Sequence, residues 1–526
     1  MDELVAARDV KWPTRAAFIA ENFQAYVEAG AEIAAVPFVD GSVLNSRPFR
    51  AAIRAIRGRP AYREVDRRVV YIDPNPTVTD GRNHAAMPGF FTTLRGALSQ
   101  IPLSEPVTDE LGWISRFNEQ ARRLQAIVES ARPHVSRLVA EVTDGAREGP
   151  VTEARIREWR GEANTKAARG AGFAYEAYVR LKLAAVRGFV AKLIMDMRGI
   201  DPGSPFGRAT AEIVDAWALL AGITSASADG RSLQAEAANS AQSMPRWVTF
   251  LLELDVDYRR RRLHFLIQGQ NQLYQMLGAE DFAALDPVAV DRLKRQYYEC
   301  VEALDSREAL AARNPQTREL AAAIFAVPPS AAELADLGSY AREFATRHQE
   351  RLDRLVTMIS ADIDMQASTH DIDVLLASTE GWPAPALHEV LVNYLGFPFF
   401  DVLTFPVMPW RQSGEFNEIR VDRISAQDAA GIAQLGDFPL KGAAFNQFAA
   451  FLSRAYREND YLLGRLHAID RLIDIVADAG GRDALTPDAV AALKRKAILR
   501  VLDAEQAHLP TCAGLIAQLR QGLKAA

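Results

Sequence analysis

The segment Phe38-Val39-Asp40-Gly41-Ser42-Val43-Leu44-Asn45-Ser46-Arg47-Pro48-Phe49 carries the residue types and order best suited to chemistry. A short apolar run reaches an Asp-Gly turn, and a helix-like segment follows from about Pro48. Such a turn holds a carboxylate at the end of a strand, where α/β enzymes commonly build their sites. Gly41 would let backbone approach that carboxylate closely. The chemistry open to Asp40 is general-base work: a serine hydroxyl is a poor nucleophile until a base takes its proton. The competing account is an ordinary surface turn that caps the following segment, since Asp-Gly turns are abundant.

The elements around this loop must position it. Trp12 to about Gly30 reads as a helix, and Ile33 to Val39 as a short apolar run in which Pro37 argues against a well-paired central strand. Phe49 to Ile56 reads as a second helix, bearing Arg50 and Arg54. Arg68-Val69-Val70-Tyr71-Ile72-Asp73 is the best strand candidate, a β-branched and aromatic run ended by Pro74-Asn75-Pro76. This alternation belongs to an α/β layer. Two strands make no stable sheet alone, so the segment is expected to be the closing edge of a larger α/β domain.

From Pro88 the pattern turns helical. Helical spacing is expected over Leu111–Val142, Thr152–Met197 and Thr210–Leu220, between Pro and Gly breaks. Pro245 suits a helix start, after which Trp247, Leu251, Leu254, Tyr258, Phe265, Leu273 and Leu277 keep near one face. Arg259-Arg260-Arg261-Arg262 is read as interrupting that helix, with Asp255 and Asp257 placed to pair with Arg259 and Arg261. Further helices are expected over Pro287–Arg313, Ala331–Ser360, Pro385–Tyr394, Ala443–Ala477 and Pro487–Leu502. Phe397 to Pro406 reads as irregular and aromatic, and Glu418 to Ile424 alternates like a strand.

Size and composition narrow the class. A chain of 526 residues exceeds what one core usually serves, so about two or three domains are expected. At 49% hydrophobic and 24% charged it has the balance of a soluble globular protein. The formal charge of −6 gives no basic surface for nucleic acid. Cys300 and Cys512, the two cysteines, lie too far apart in sequence to suggest a disulfide framework, and a reducing compartment fits them best. Met1-Asp2-Glu3-Leu4 does not open a secretory signal. The least polar long stretch, Leu391 to Trp410, is broken by Pro398, Asp401, Pro406 and Pro409, so no spanning helix is expected.

The loop "DGSVLNSRPF" and the segment "RRVVYIDPNP" (Arg67 to Pro76) resemble the end of the catalytic domain in bacterial patatin-related proteins. The remainder resembles the long helical region that follows it there. That likeness is carried by "FFTTLRGAL" (Phe90 to Leu98), "WVTFLLELDVDYRRRRLHFLIQGQNQLY" (Trp247 to Tyr274), "GEFNEIRVDRIS" (Gly414 to Ser425) and "YRENDYLLGRL" (Tyr456 to Leu466). The resemblance implies a lipid acyl hydrolase in which Asp40 partners a serine nucleophile. The departures are as informative. The family's Gly-x-Ser-x-Gly elbow is not in this sequence; Gly203-Ser204-Pro205 and Gly41-Ser42 do not satisfy it. The glycine-rich loop that would supply oxyanion-hole amides is missing too, and with both go the main sources of rate. Ser42 stands where the family has a second Gly or Ala.

Other constellations have structural explanations. Asp362, Asp364, His370, Asp371 and Asp373 crowd one segment, but a calcium loop begun at Asp362 puts Ala367 where Gly is needed and Asp373 where Glu is needed. A solvated acidic segment is the better account. The eight histidines show no zinc-ligand spacing, and His264 and His467 are expected to be structural. The arginine run could meet anionic headgroups but reads as a solvated, salt-bridged face. The stretch Phe397 to Trp410 could touch lipid but reads as buried. Arg454, Arg457, Glu458, Asn459 and Asp460 read as a structural network around an i,i+4 pair.

The expected fold is mainly α, a large helical region preceded by a small α/β remnant. Its divisions are the remnant at 1–80, a helical region at 81–240 and a helical domain at 241–526. The expected function is the C-terminal portion of a patatin-like lipid acyl hydrolase, inactive alone, with Asp40 its single catalytic residue. No cofactor and no metal are expected. Its substrate would be a lipid acyl ester once an N-terminal part completes the site, and its location cytoplasmic, with a membrane surface as a candidate contact. The alternative is a non-enzymatic helical scaffold or interaction module.

Overall fold

The computed structural model describes residues 107–144, 150–224, 245–407, 418–442, 453–480 and 485–525, with 14–24, 66–73 and scattered positions between those two. The protein is mainly α-helical, with one two-stranded parallel sheet among the described residues. The loop Asp40–Arg47, most of the helix expected at Phe49–Ile56 and the segment Phe90–Leu98 lie outside the described residues. Within the helix expected from Trp12 to Gly30, α1 is Arg15–Asn22.

The chain divides into two compact units. One comprises Ile53–Val69 and Ile114–Val421; the other Met1–Ala52, Val70–Trp113 and Asp422–Ala526.

The first unit is a stack of helices punctuated where the sequence changes its capping chemistry. α2 (Val107–Val142) runs through Pro133. Thr152 caps α3 (Glu153–Ala171), accepting from the Arg155 amide. The stretch expected as one helix then breaks at Gly172, whose φ of 53° suits glycine, before α4 (Phe173–Arg198) ends at a left-handed Gly199. α5 (Pro205–Leu220) starts on a Ser204 cap with proline in its first turn.

The next break corrects the sequence reading. α6 (Arg246–Leu254) ends at Asp255, whose carboxylate accepts from the Tyr258 amide and starts α7 (Val256–Met276). The four arginines therefore lie inside α7, and a capping aspartate before them makes the interruption. α8 (Pro287–Arg313) has the expected bounds, and α9 (Pro315–Ile324) follows on an Asn314 cap. The helix expected over Ala331–Ser360 divides at Asp336 and His348 into α10 (Ala331–Ala335), α11 (Leu337–Arg347) and α12 (Gln349–Ile363). α13 (Met365–Ala377) and α14 (Ala384–Leu395) precede α15 (Phe397–Thr404). α15 replaces the irregular aromatic stretch expected there. Pro398 sits in its first turn, where a missing N–H costs nothing, and Pro406 lies beyond its end. The core of this unit is aliphatic with a few large aromatics, Tyr297, Tyr394 and Phe400 among the most buried.

Strands β1 (Arg68–Ile72) and β2 (Arg420–Ile424) form the sheet, and the Asp73 amide donates to the Ile424 carbonyl at 2.9 Å. Both segments were legible as strands. In the second unit, α16 (Ala430–Ala433), α17 (Arg454–Ala479), α18 (Pro487–Glu505) and α19 (Ala513–Ala525) enclose Leu462, Leu466, Leu502 and Leu519. Arg454 pairs with Glu458 at 2.7 Å, and the Thr511 amide donates to the same carboxylate at 2.9 Å, so the polar cluster of α17 is the structural network expected. Buried Asp470 pairs with Lys494 at 3.0 Å and accepts from the Gly431 amide at 3.2 Å.

A Cβ on Gly431 would lie 2.3 Å from Asp470 Oδ1, whereas one on Gly464, exposed in mid-α17, meets nothing within 4 Å. Gly431→Ala is expected to destabilise by about 1–3 kcal/mol through overpacking. Gly464→Ala is expected to stabilise by about 1 kcal/mol through helix propensity. Urea unfolding followed by circular dichroism checks both signs.

A candidate ligand cleft over a buried ion network

The arginine run that opens α7 distributes its four charges among four structural tasks. Arg259 donates to the Leu251 and Leu252 carbonyls at 3.3 and 2.5 Å, capping the C-terminus of α6 with a cation. Arg260 pairs with Asp257, Asp305 and Glu308. Arg261 holds Asp401 of α15 in a two-pronged pair at 2.9 and 3.0 Å. Arg262 donates to the Tyr258 hydroxyl at 2.9 Å and lies 4.6 Å from the Tyr394 ring centroid. The expectation of a solvated face is thus overturned: Arg259, Arg261 and Arg262 are buried. The expected partnership also shifts, because Asp257 meets Arg260, and Arg259 uses backbone carbonyls. One helical turn sends successive side chains about 100° apart, so four adjacent arginines cannot share one face.

Asp401 is the centre of the network. It accepts from the Tyr178 hydroxyl at 2.6 Å as well as from Arg261. Lys182, one turn after Tyr178, pairs with Asp255 at 2.8 Å and lies 3.8 Å from the Tyr258 ring centroid. Burial alone would push the Asp401 carboxyl up; the charge and hydrogen bonds of Arg261, with Lys182 and Tyr178, hold it below the ordinary carboxylate value. Burial pushes the Tyr178 phenol well up and the Lys182 ammonium down, the latter against its carboxylate neighbours.

Part of the acidic segment behaves in the same way. Asp373 is buried, held by Arg160 and by the Tyr394 hydroxyl at 2.6 Å, and burial first of all pushes that phenol up to about 12. Asp362 accepts from Asn314 and Thr317, each at 2.6 Å. Asp364 caps α13 with a left-handed backbone, and His370 meets Glu153 at 3.0 Å. Asp362 and Asp373 are thus tied into the fold, whereas Asp364, His370 and Asp371 are exposed, as a solvated segment would be. No group of potential metal ligands occurs among the described residues. His264 and His467 lie in α7 and α17.

Beside the ion network lies a cleft of about 240 Å³ among α2, α7, α14 and α15. Leu124, Val128 and Arg132 face it from α2, and Arg261, Phe265, Gln268, Gln272 and Gln275 from α7. Each set recurs at three- or four-residue intervals, the spacing of one helical face. Asn393 of α14 and Phe397, Phe400 and Asp401 of α15 complete it. Arg132 donates to Glu389 at 2.5 Å and twice to Asn393 Oδ1 at 3.1 Å. Asn393 packs directly on Gly269, where a Cβ would sit 2.2 Å from its Nδ2. The glutamine stripe carried no motif in the sequence; its helical spacing was the available signal.

One pairing has the look of acyl-transfer chemistry. Ser136 Oγ and His388 Nε2 are 2.7 Å apart, between α2 and α14. Ser136 lies in mid-helix, where the surrounding amides are spent on the helix and form no oxyanion hole. Among the described residues His388 has no second partner to orient its ring. It is a cross-helix hydrogen bond. Asp40, the single site residue expected from the sequence, lies outside the described residues.

A family model described as a protein of unknown function (DUF3376) matches residues 352–524. No curated protein and no solved structure matches the chain.

Asp401→Ala would leave buried Arg261 without its carboxylate and is expected to cost about 3–5 kcal/mol. Arg261→Met with Asp401→Leu should recover most of that loss. Because the folded carboxyl is held below its unfolded value near 4, its contribution is complete above that pH and disappears as pH falls through the folded value. Chemical unfolding at stepped pH checks this: below about pH 4 the stability gap between wild type and Asp401→Ala should shrink.

Proposed function

We propose that this chain is the C-terminal portion of a patatin-like lipid acyl hydrolase, with Asp40 the base of a Ser-Asp dyad. Its nucleophile elbow would come from sequence other than these 526 residues. The observation that carries the reading is the sheet. β1 follows the Asp40 loop in the segment resembling the catalytic domain, and its partner β2 lies in "GEFNEIRVDRIS", a segment resembling the helical region. Parallel pairing is the habit of α/β hydrolase-like layers, whose strands are joined by long crossovers. In the proposal β2 extends the catalytic sheet and anchors the Asp40 loop through β1. The helical body is then part of the enzyme's architecture and not an appendage.

A second reading, a non-enzymatic helical scaffold, draws on the ion network: the strongest polar groups of the helical body are consumed by one another. Membrane contact through Arg259–Arg262 or the aromatic stretch forms no part of either reading, because Arg259, Arg261, Arg262, Phe397 and Phe400 are buried. Among the described residues no single helix is long and apolar enough to cross a membrane.

The test compares the chain as given with the same chain joined to its in-frame upstream coding sequence. The first is expected to show no labelling by a serine-directed fluorophosphonate and no turnover of p-nitrophenyl butyrate. The joined protein is expected to do both, and Asp40→Asn to lower its kcat by about 10³-fold or more. Ester turnover by the chain alone, indifferent to Asp40→Asn, would overturn the proposal.

A further inference from the structure

We infer that the cleft among α2, α7, α14 and α15 is a binding site for a small uncharged amphiphile, one with a hydroxylated or amide head and a short hydrocarbon tail. The inference rests on the cleft alone, independently of the hydrolase proposal.

The volume comes first. About 240 Å³ would hold some eight waters at ~30 Å³ each, enough for a polar head and a short tail. Clefts between bundled helices are a common place for such sites.

The walls set the chemistry. Leu124, Val128, Phe265, Phe397 and Phe400 give an apolar side. Opposite charges pair at the lining: Arg261 with Asp401, and Arg132 with Glu389 behind it. An anionic head would meet guanidiniums whose charge a carboxylate already neutralises. A cationic head would meet two arginines. Glu129 also lines the cleft and has no partner among the described residues, but it is exposed, where an ion pair is worth little. An ion would therefore lose hydration for small recompense.

What the cleft offers a head group is amides. Gln268, Gln272 and Gln275 recur at helical spacing on α7, and none has a side-chain hydrogen bond among the described residues. Gln272 Oε1 is sealed from solvent with no partner, a costly arrangement that a turn of its amide towards the cleft would relieve. Asn393 spends its oxygen on Arg132, which fixes the orientation of the amide and leaves Nδ2 unbonded. An acceptor at one point and donors at others match a hydroxyl or carboxamide, which both gives and accepts a hydrogen bond.

The experiment titrates the full chain with three probes that share a six-carbon tail and differ in the head: 1-O-hexylglycerol, hexanoate and hexyltrimethylammonium. The ether linkage cannot be hydrolysed, so the calorimeter reads binding even if the protein proves to be an esterase. Saturable binding of 1-O-hexylglycerol at least tenfold tighter than either ion is expected. Gln272→Leu, with its melting temperature checked, is expected to weaken that binding at least tenfold. Hexanoate binding as tightly as the glycerol ether would overturn the uncharged head, and absence of saturable binding would overturn the site. Equal affinity in Gln272→Leu would remove the amide wall from recognition. Should that variant fail to fold, the head-group series on wild type decides alone.

Discussion

The helical body depends on the pair between Arg261 and Asp401. Each group is buried, and each would be intolerable without the other. Their bond joins the first turns of α7 to the short helix α15, and through the Tyr178 hydroxyl it reaches α4. Three helices distant in sequence are therefore held by a single carboxylate. The pair is specific in a way that apolar contact is not, because a guanidinium fork accepts a carboxylate in few orientations. The Phe405 ring, 4.3 Å from the guanidinium carbon, closes one face of the pair.

The same logic recurs where Arg160 meets Asp373 and where Lys182 meets Asp255. In each case a charged group inside the unit meets a partner from another helix or its cap, and a tyrosine stands beside it. Tyr394 donates to Asp373, and the Tyr258 ring faces Lys182. Aromatic neighbours keep water out while supplying a hydroxyl or a π face, which lets an ion pair remain satisfied in low dielectric. The cost of this design is fragility to single replacements, since removal of one partner strands the other.

Most helices were legible because proline, glycine and capping residues punctuate them. Pro287 to Arg313 could be bounded to the residue, and both strands stood out by their β-branched and alternating patterns. The misreadings share a cause. Four consecutive arginines, and Asp362 and Asp373 within their acidic segment, look like solvated surface in one dimension, because burial of a charge depends on a partner far away in sequence. Nothing near Arg261 announces Asp401, and nothing near Asp373 announces Arg160. α15 was missed for a local reason: Pro398, Pro406 and Pro409 suggest disruption, yet Pro398 falls in a first turn, where proline is tolerated. The glutamines of the cleft were invisible because an amide on a helix has no motif.

The folding constraint and the chemistry of the cleft are one problem. A helical body that must neutralise Arg132 and Arg261 internally cannot also offer them as free anion receptors. The cost of stability is therefore a cleft with charged residues in its lining but little net charge to offer. What remains available is whatever the fold does not consume, namely the unengaged amides of α7 and Asn393 and the aromatic side of α15. A pocket made from such leftovers discriminates by hydrogen-bond direction and apolar fit, because its buried ions are already committed. Strength in the ion network and neutrality of the ligand then follow from the same pairings, and loosening Asp401 or Glu389 would change both together.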